Sequence, residues 1–168
     1  MQFKNIAAIA SFIALGQAYI IPAGLENGVY AVRVNETGHL HPYRVDTADI
    51  SPPAGRAVRR ANLSTRDQHR CTGHTLNSGD CDAAVSKLQG FCGSGRHYDS
   101  AIMLFTHNSV TAYTCDYSGN QLCYSSEDAY ANSQITNACG LYRSGWVLFS
   151  NNKNYGYDVQ GASICGNL

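Results

Sequence analysis

The feature that most constrains the fold of this chain is the placement of its cysteines. All seven lie in the second part of the sequence, at positions 71, 81, 92, 115, 123, 139 and 165. In an exported protein this density indicates a framework of disulfide bonds, because the secretory route is oxidising. Seven is an odd number. One cysteine therefore stays free, joins a second molecule, or pairs in only part of the population.

The N-terminus predicts export. Lys4 is the only charged residue in the first 25 positions, and residues 6–15 are almost wholly apolar. Two small residues, Gly16 and Ala18, then occupy the positions before a cleavage point, which completes the pattern of a secretory signal peptide over residues 1–18. The apolar run is shorter than the about 20 residues that span a bilayer. We therefore expect a secreted, extracellular protein.

A pair of basic residues, Arg59 and Arg60, separates two segments of different composition. Residues 19–60 contain no cysteine, and residues 61–168 contain all seven. The stretch "SPPAG" precedes the pair, and its prolines favour an extended, accessible backbone. The pattern predicts a propeptide over residues 19–60, a cut by a kexin-type processing protease, and a mature domain over residues 61–168. The alternative is a solvated charge pair in an ordinary linker.

The predicted propeptide contains a hairpin pattern of its own. "NGVYAVRVNETGHLHPYRV" alternates on both sides of a turn at residues 35–38. Such a hairpin covers an edge or an apolar face of the domain until export is complete, or it is only a spacer. Two sequons, at Asn35 and Asn62, are candidate glycosylation sites.

Two stretches of the mature domain have the apolar period of helices. In "SGDCDAAVSKLQGFCG", Ser78 or Asp80 can cap the start and Gly93 can end the helix. In "YSSEDAYANSQITNACG", Ser125 can cap the start and Gly140 can end it. Each helix ends at a cysteine on its apolar side, where a disulfide would tie it to a sheet.

The remaining segments of the mature domain read as short strands. A hairpin turning at His107–Asn108 is followed by the short strand "QLCYS", a second hairpin formed by "GWVLFS" and "NYGYDV", and a last piece, "SIC". This order predicts an α+β fold, in which a small disulfide-stabilised antiparallel sheet carries two helices on one face.

No residue set in the sequence calls for catalysis, a metal or a cofactor. "HRCTGH" (His69, Cys71, His74) supplies too few metal ligands, and its cysteine is expected to be oxidised. The histidines of the mature domain lie in its N-terminal arm or at turns, without a carboxylate at a spacing that would hold one as a base. Residues 61–168 also carry more Asp and Glu than Lys and Arg, so nucleic acid is not an expected partner.

One local match keeps an enzymatic alternative open. "CDYSGNQLCYSSEDAYANSQITNACG" resembles the opening of the guanyl-specific fungal ribonucleases. Those enzymes take a glutamate base and histidines from strands after the helix, and here no His or Glu follows Glu127. A ribonuclease-like hydrolase is therefore the alternative and not the preferred interpretation.

The order of motifs over residues 71–160 resembles another group. "DCDAAVSKL", "SVTAYTCDYSG", the helix ending "NACG", "SGWVLFSN" and "YGYDV" follow the order seen in necrosis-inducing secreted effectors of fungi and in killer toxins encoded by viruses of smut fungi. The resemblance implies a split βαβ arrangement without an active site that acts on a host or competitor cell. The killer toxins act on calcium uptake through an exposed lysine loop, and neither Lys87 nor Lys153 lies in a matching motif. That mechanism is therefore not carried over.

We accordingly expect a non-enzymatic effector that binds a host or competitor protein, a membrane component or a glycan. Trp146, Tyr155 and Tyr157 on the last hairpin form the candidate binding surface, because Trp and Tyr are the usual anchors of interfaces. A further alternative is a cell-wall or carbohydrate-binding protein. The toxin resemblance implies a Cys71–Cys139 disulfide, and the spacing of Cys115 and Cys123 around a turn favours a bridge between neighbouring strands.

Overall fold

The computed structural model describes residues 18–46, 67–119 and 122–166. Arg59, Arg60, Asn62 and the predicted signal peptide before Ala18 lie outside the described residues. Within these ranges the chain forms two helices, α1 (Ser78–Cys92) and α2 (Ser125–Cys139), and eleven strands. The strands are β1 (Tyr19–Ile20), β2 (Gly28–Val34), β3 (Leu40–Arg44), β4 (Gln68–Thr75), β5 (Arg96–His97), β6 (Ile102–His107), β7 (Val110–Asp116), β8 (Leu122–Cys123), β9 (Arg143–Phe149), β10 (Lys153–Val159) and β11 (Ser163–Ile164).

Seven strands form one antiparallel sheet in the order β3-β2-β6-β7-β10-β9-β4. Both helices pack on the same face of this sheet, α1 over β6 and β7 and α2 over β4, β9 and β10. The predicted α+β fold with helices on one face of an antiparallel sheet is therefore confirmed. Two short pairs, β1 with β11 and β5 with β8, complete the strand pairing that the structure describes.

The helices begin and end close to where their sequence pattern places them. Asn77, and not Ser78 or Asp80, caps α1: its Oδ1 accepts a hydrogen bond of 3.0 Å from the Asp80 amide. Tyr124 precedes α2 without a side-chain cap, and glycines end both helices as expected. The buried face of α1 consists of Cys81, Ala84, Leu88 and Cys92.

The sheet is buried on both faces. On the helix-covered face, Val147 and Tyr155 pack with the apolar stripes of α1 and α2. On the other face, which we call the helix-free face, Leu104 and Tyr113 pack against residues from the two ends of the described chain, including Ile21. Side chains alternate between the faces of a strand, so each central strand contributes to two separate apolar clusters.

The hairpin of the predicted propeptide is part of this sheet. β2 pairs with β6 over five residue pairs, from Gly28 opposite Thr106 to Val32 opposite Ile102. β3 then forms one outer edge of the sheet. The sequence left open whether the hairpin covers the domain or is only a spacer. In this structure it covers the edge of β6.

The predicted N-terminal arm of the mature domain is also a strand. β4 pairs with β9 and forms the other outer edge. Most of its side chains are exposed, so the sequence offers no apolar alternation that would reveal a strand. His69 and His74 therefore lie in regular structure, contrary to expectation.

Three disulfides join the elements. Cys71–Cys139 ties β4 to the end of α2, as the toxin resemblance implied. The predicted Cys115–Cys123 bridge is wrong: Cys115 bonds to Cys165, and Cys123 bonds to Cys92. The cause is that β8 pairs with β5 and not with β7, which places Cys123 at the end of α1. Cys81 is the one free cysteine of the described chain, and it is buried.

Candidate functional site

A cavity of about 790 Å³ opens on the helix-free face. β4, β9 and β10 form its floor, and the C-terminal segment, residues 162–166, forms a wall together with Ala18. The Cys115–Cys165 disulfide attaches that segment to β7. The cavity size is within the range of sites that hold small ligands.

Strand register sets which side chains share the floor. Arg70 of β4 lies directly opposite Trp146 of β9. One step along, Gln68 lies opposite Leu148, which in turn lies opposite Asn154 of β10. Directly opposed residues of an antiparallel pair are close neighbours on one face. The cavity therefore presents a guanidinium beside an indole ring, with amide side chains next to them.

A bulge in β4 brings His74 into the same site. The step from Cys71 to Thr75 matches the shorter step from Gly145 to Arg143 on β9, so β4 carries extra residues there. Gly73, within the bulge, has a φ of 96°, which favours glycine. The His74 amide donates to Ser144 Oγ at 2.8 Å, which holds the bulge against β9. Bulges of this kind re-aim a side chain.

The re-aimed His74 is paired with a buried carboxylate. Its Nδ1 lies 2.7 Å from Asp158 Oδ1; Asp158 is wholly buried, whereas the His74 side chain is 48% exposed. This contact orients the ring and leaves Nε2 as the nitrogen that can meet a ligand. The expectation that no histidine has a carboxylate to hold it is therefore wrong: Asp158 is distant from His74 in sequence and close in space, and His97 Nδ1 also lies 3.3 Å from Asp99 Oδ1.

Buried polar atoms lie at the cavity floor and directly behind it. Asp158 Oδ2, Asn154 Oδ1 and Tyr113 Oη have no hydrogen-bond partner in the part of the chain that the structure describes. Tyr113 lies across Gly156, where a Cβ would stand 2.6 Å from its hydroxyl oxygen. Burial, with the nearby Asp158 carboxylate, raises the pKa of Tyr113 well above its usual value. Buried polar atoms that the protein itself leaves unpaired take another partner, which an ordered water or a polar ligand in the cavity can supply.

The three aromatic residues predicted to share a surface are divided between the two faces. Trp146 is half-buried and lines the cavity. Tyr155 and Tyr157 point the other way, into the cluster under the helices, where they are 0% and 4% exposed. The sequence prediction of a common surface is wrong for these two tyrosines. Odd-numbered and even-numbered residues of β9 and β10 face opposite sides, and both sides are covered.

The residues weighed as metal ligands do not converge. Cys71 is held in a disulfide, and His69 faces the helix-covered side with its neighbour Val147. Among residues 18–46, 67–119 and 122–166, no group of three or more His, Cys, Asp or Glu side chains is placed to hold a metal ion. The His74 ring contacts the Asp158 carboxylate instead.

Sequence reasoning weighed His74 only as a metal ligand and missed it, together with Arg70 and Asp158, as a residue of this site. The local signal for the bulge was Gly73 between polar residues in "HRCTGH". Nothing local marks Asp158, because its role depends on the pairing of β10 between β7 and β9.

Comparison with known proteins adds no assignment. No protein-family profile, curated protein or solved structure matches the chain. The resemblance to fungal effectors and killer toxins therefore stays a prediction from the order of sequence motifs. In the described residues, no helix has the length and apolar character needed to cross a bilayer.

Proposed function

We propose that this chain is a secreted, effector-like binding protein that acts without catalysis on a molecule of a host or competitor cell, and that the target enters the cavity on the helix-free face. The observation that carries the proposal is the register that places Arg70 beside Trp146 at the edge of a polar floor. Cavities that combine an aromatic wall with a few fixed polar groups are typical of ligand sites.

The chemistry of the cavity fits a sugar that bears an acidic group. The Trp146 ring offers an apolar plane for the C–H face of a sugar ring. The amides of Gln68 and Asn152 line the cavity beside it and can bond hydroxyl groups. Arg70 supplies a planar guanidinium that pairs with a carboxylate through two parallel hydrogen bonds. Uronic acid units of a cell-wall or matrix glycan combine these features.

Titration calorimetry with the secreted protein tests the proposal. We expect short uronic acid oligomers to bind more tightly than neutral oligosaccharides of equal length. Arg70→Gln should weaken binding about tenfold to a hundredfold, since a hydrogen bond to a charged group contributes about 1.5–3 kcal/mol. Arg33→Gln, an equal charge change on an exposed part of β2 away from the cavity, is the matched control.

Two substitutions in the cavity, Arg70→Gln and Trp146→Ala, test the proposal from the opposite side. The cavity is not the binding site when Arg70→Gln and Trp146→Ala both leave binding to target cells unchanged in folded protein. Equal affinity for neutral and acidic sugars would show that the ligand needs no acidic group, while the cavity would remain the binding site.

The His74–Asp158 pair supports a second candidate, a secreted hydrolase. A histidine oriented by a buried carboxylate can act as a general base towards a water molecule. Such an enzyme should lose on the order of 10²–10⁴ in rate when His74 is replaced by Gln. Assays on an oligoribonucleotide and on the uronic acid oligomers decide between the candidates. Turnover that His74→Gln abolishes would replace binding as the function.

A further inference from the structure

We propose that β6 and the helix-free face form a permanent binding site for residues 18–46, so that a cut between residues 47 and 66 leaves a protein of two chains. In this view the N-terminal segment is a structural subunit and not a cap that departs. The inference rests on packing around β2 and does not depend on the ligand of the cavity.

The first support is the character of β6. Its sequence, IMLFTH, is apolar over four consecutive residues, and Ile102 through Thr106 are buried. β2 covers it through five residue pairs. Without β2, this strand would be an open, apolar edge, which invites pairing with other chains and aggregation. Nothing in its sequence protects it from such pairing.

The second support is that the two outer edges of the seven-stranded sheet do carry protection. β3 has Pro42 at its centre, and proline is found on edge strands because it cannot donate to a ladder. β4 is polar, largely exposed and interrupted by its bulge. Edge features therefore mark β3 and β4 as the permanent edges, with the N-terminal hairpin included in the sheet.

The third support is burial of the N-terminal segment on the helix-free face. Ile21 and Val32 are both 0% exposed in the cluster that contains Leu104 and Tyr113. These contacts are with the cysteine-rich part of the chain. Loss of the segment would uncover an apolar face in addition to the edge of β6.

Polar contacts fix the same segment in one position. Gln160 accepts hydrogen bonds from the amides of Gly24 and Leu25 at 2.6 and 3.0 Å and donates to the Leu25 carbonyl at 2.9 Å. Further along, the Ile21 amide donates to the Ala162 carbonyl at 3.0 Å. Ala162 belongs to the C-terminal segment that the Cys115–Cys165 disulfide attaches to β7, and Gln160 directly follows β10. A disulfide therefore fixes part of the surface that the N-terminal segment contacts.

No cysteine precedes residue 71, so no disulfide can hold the N-terminal segment after a cut. Retention would depend on the contacts described above. To test it, the recognition sequence of a site-specific protease replaces residues 56–60, and the purified full-length protein is cut in vitro. This design makes the outcome independent of processing at Arg59 and Arg60.

Native mass spectrometry of the cut protein should show one species with the summed mass of both chains, and denaturing mass spectrometry should show two. Val32→Lys should release the N-terminal chain, whereas Val34→Lys should retain it, because Val34 lies on the same strand and is 65% exposed. Where Val32→Lys does not fold, Val32→Ala replaces it, with release followed at increasing urea. A folded cysteine-rich chain that elutes without its N-terminal chain would overturn the inference, and so would equal retention in the Val32 and Val34 variants.

Discussion

At the scale of single residues, Lys153 and Glu127 form an ion pair with little access to water. Their side chains are 1% and 6% exposed, and Lys153 Nζ lies 2.5 Å from Glu127 Oε2. Tyr155 Oη donates to the same carboxylate oxygen at 2.7 Å. We predict that Lys153→Met lowers the free energy of unfolding by about 3–5 kcal/mol, because it leaves Glu127 as an uncompensated buried charge.

Urea unfolding measures this loss. Adding Glu127→Gln to Lys153→Met should restore part of the stability, since the buried charge is then gone. Arg44→Met is the matched control: it breaks the Arg44–Glu26 pair, whose side chains are 58% and 81% exposed, and should change stability by less than about 1 kcal/mol. A loss in the control as large as in Lys153→Met would contradict the argument from burial.

Asp128 links stability to pH. Burial raises its pKa to about 7, although Gln89 and Asn132 donate hydrogen bonds that oppose the rise. Below about pH 4 the group is protonated in the folded and unfolded states, so it has no unfavourable effect there. Between about pH 4 and pH 7 the unfolded state ionises this carboxyl while the folded state keeps it protonated, so stability falls over this range and levels off above pH 7.

We therefore predict that Asp128→Asn and the native protein have similar stability at pH 4. At pH 8 the variant should be more stable by a few kcal/mol, since one pKa unit corresponds to about 1.4 kcal/mol. Thermal unfolding across this pH range is the measurement, with the exposed Glu36→Gln as a control that stays level with the native protein. If the stability of Asp128→Asn and that of the native protein change in parallel from pH 4 to 8, Asp128 does not have a raised pKa in the folded protein.

Cys81 is the free cysteine, and its surroundings predict that it is inert. Burial raises the pKa of its thiol to about 11, with Asp82 and Asp128 adding to the rise. Since the thiolate is the reactive form, a thiol reagent should label no cysteine in the native protein and one per chain after unfolding without reductant. Rapid labelling under native conditions, or covalent dimers, would show instead that Cys81 is accessible.

At the scale of elements, the sequence predicted what has a local cause. Both helices follow from an apolar period closed by glycine, and the β6–β7 hairpin follows from two apolar runs around a polar turn. β4 was missed because an exposed edge strand needs no apolar face. Tyr155 was misplaced because alternation shows that a strand has two faces but not that both are covered.

The Cys115–Cys165 disulfide has a specific role among the elements, because it holds a wall of the cavity to β7. Replacing both cysteines by Ala, or both Cys92 and Cys123, should in each case lower stability by about 4 kcal/mol from loop closure. We predict that only the Cys115/Cys165 variant also loses ligand binding in the cavity. Stability and affinity are measured on both variants. An equal loss of affinity in the two would show that the Cys115–Cys165 disulfide has no specific effect on the cavity.

At the scale of the whole molecule, the site depends on the complete sheet. His74 and Asp158 lie 84 positions apart, and β4 and β10 are held together by β9 between them. The sequence supplies each residue type but no local sign of their meeting. The same holds for the N-terminal hairpin: its turn was predictable, and its pairing with β6 was left open.

Processing at Arg59 and Arg60, if the N-terminal chain is retained, makes the stability of the processed protein depend on its concentration. Denaturing mass spectrometry should show one chain that begins at Ala61 and a second that ends at Arg60, whereas Arg60→Ala should give a single chain that begins near Tyr19. Unfolding the processed protein separates two molecules, so tenfold dilution should lower its apparent free energy of unfolding by about 1.4 kcal/mol. The Arg60→Ala protein unfolds as one molecule and should be unaffected by dilution. A processed protein whose melting temperature is the same at all concentrations would show that its stability does not come from the retained chain.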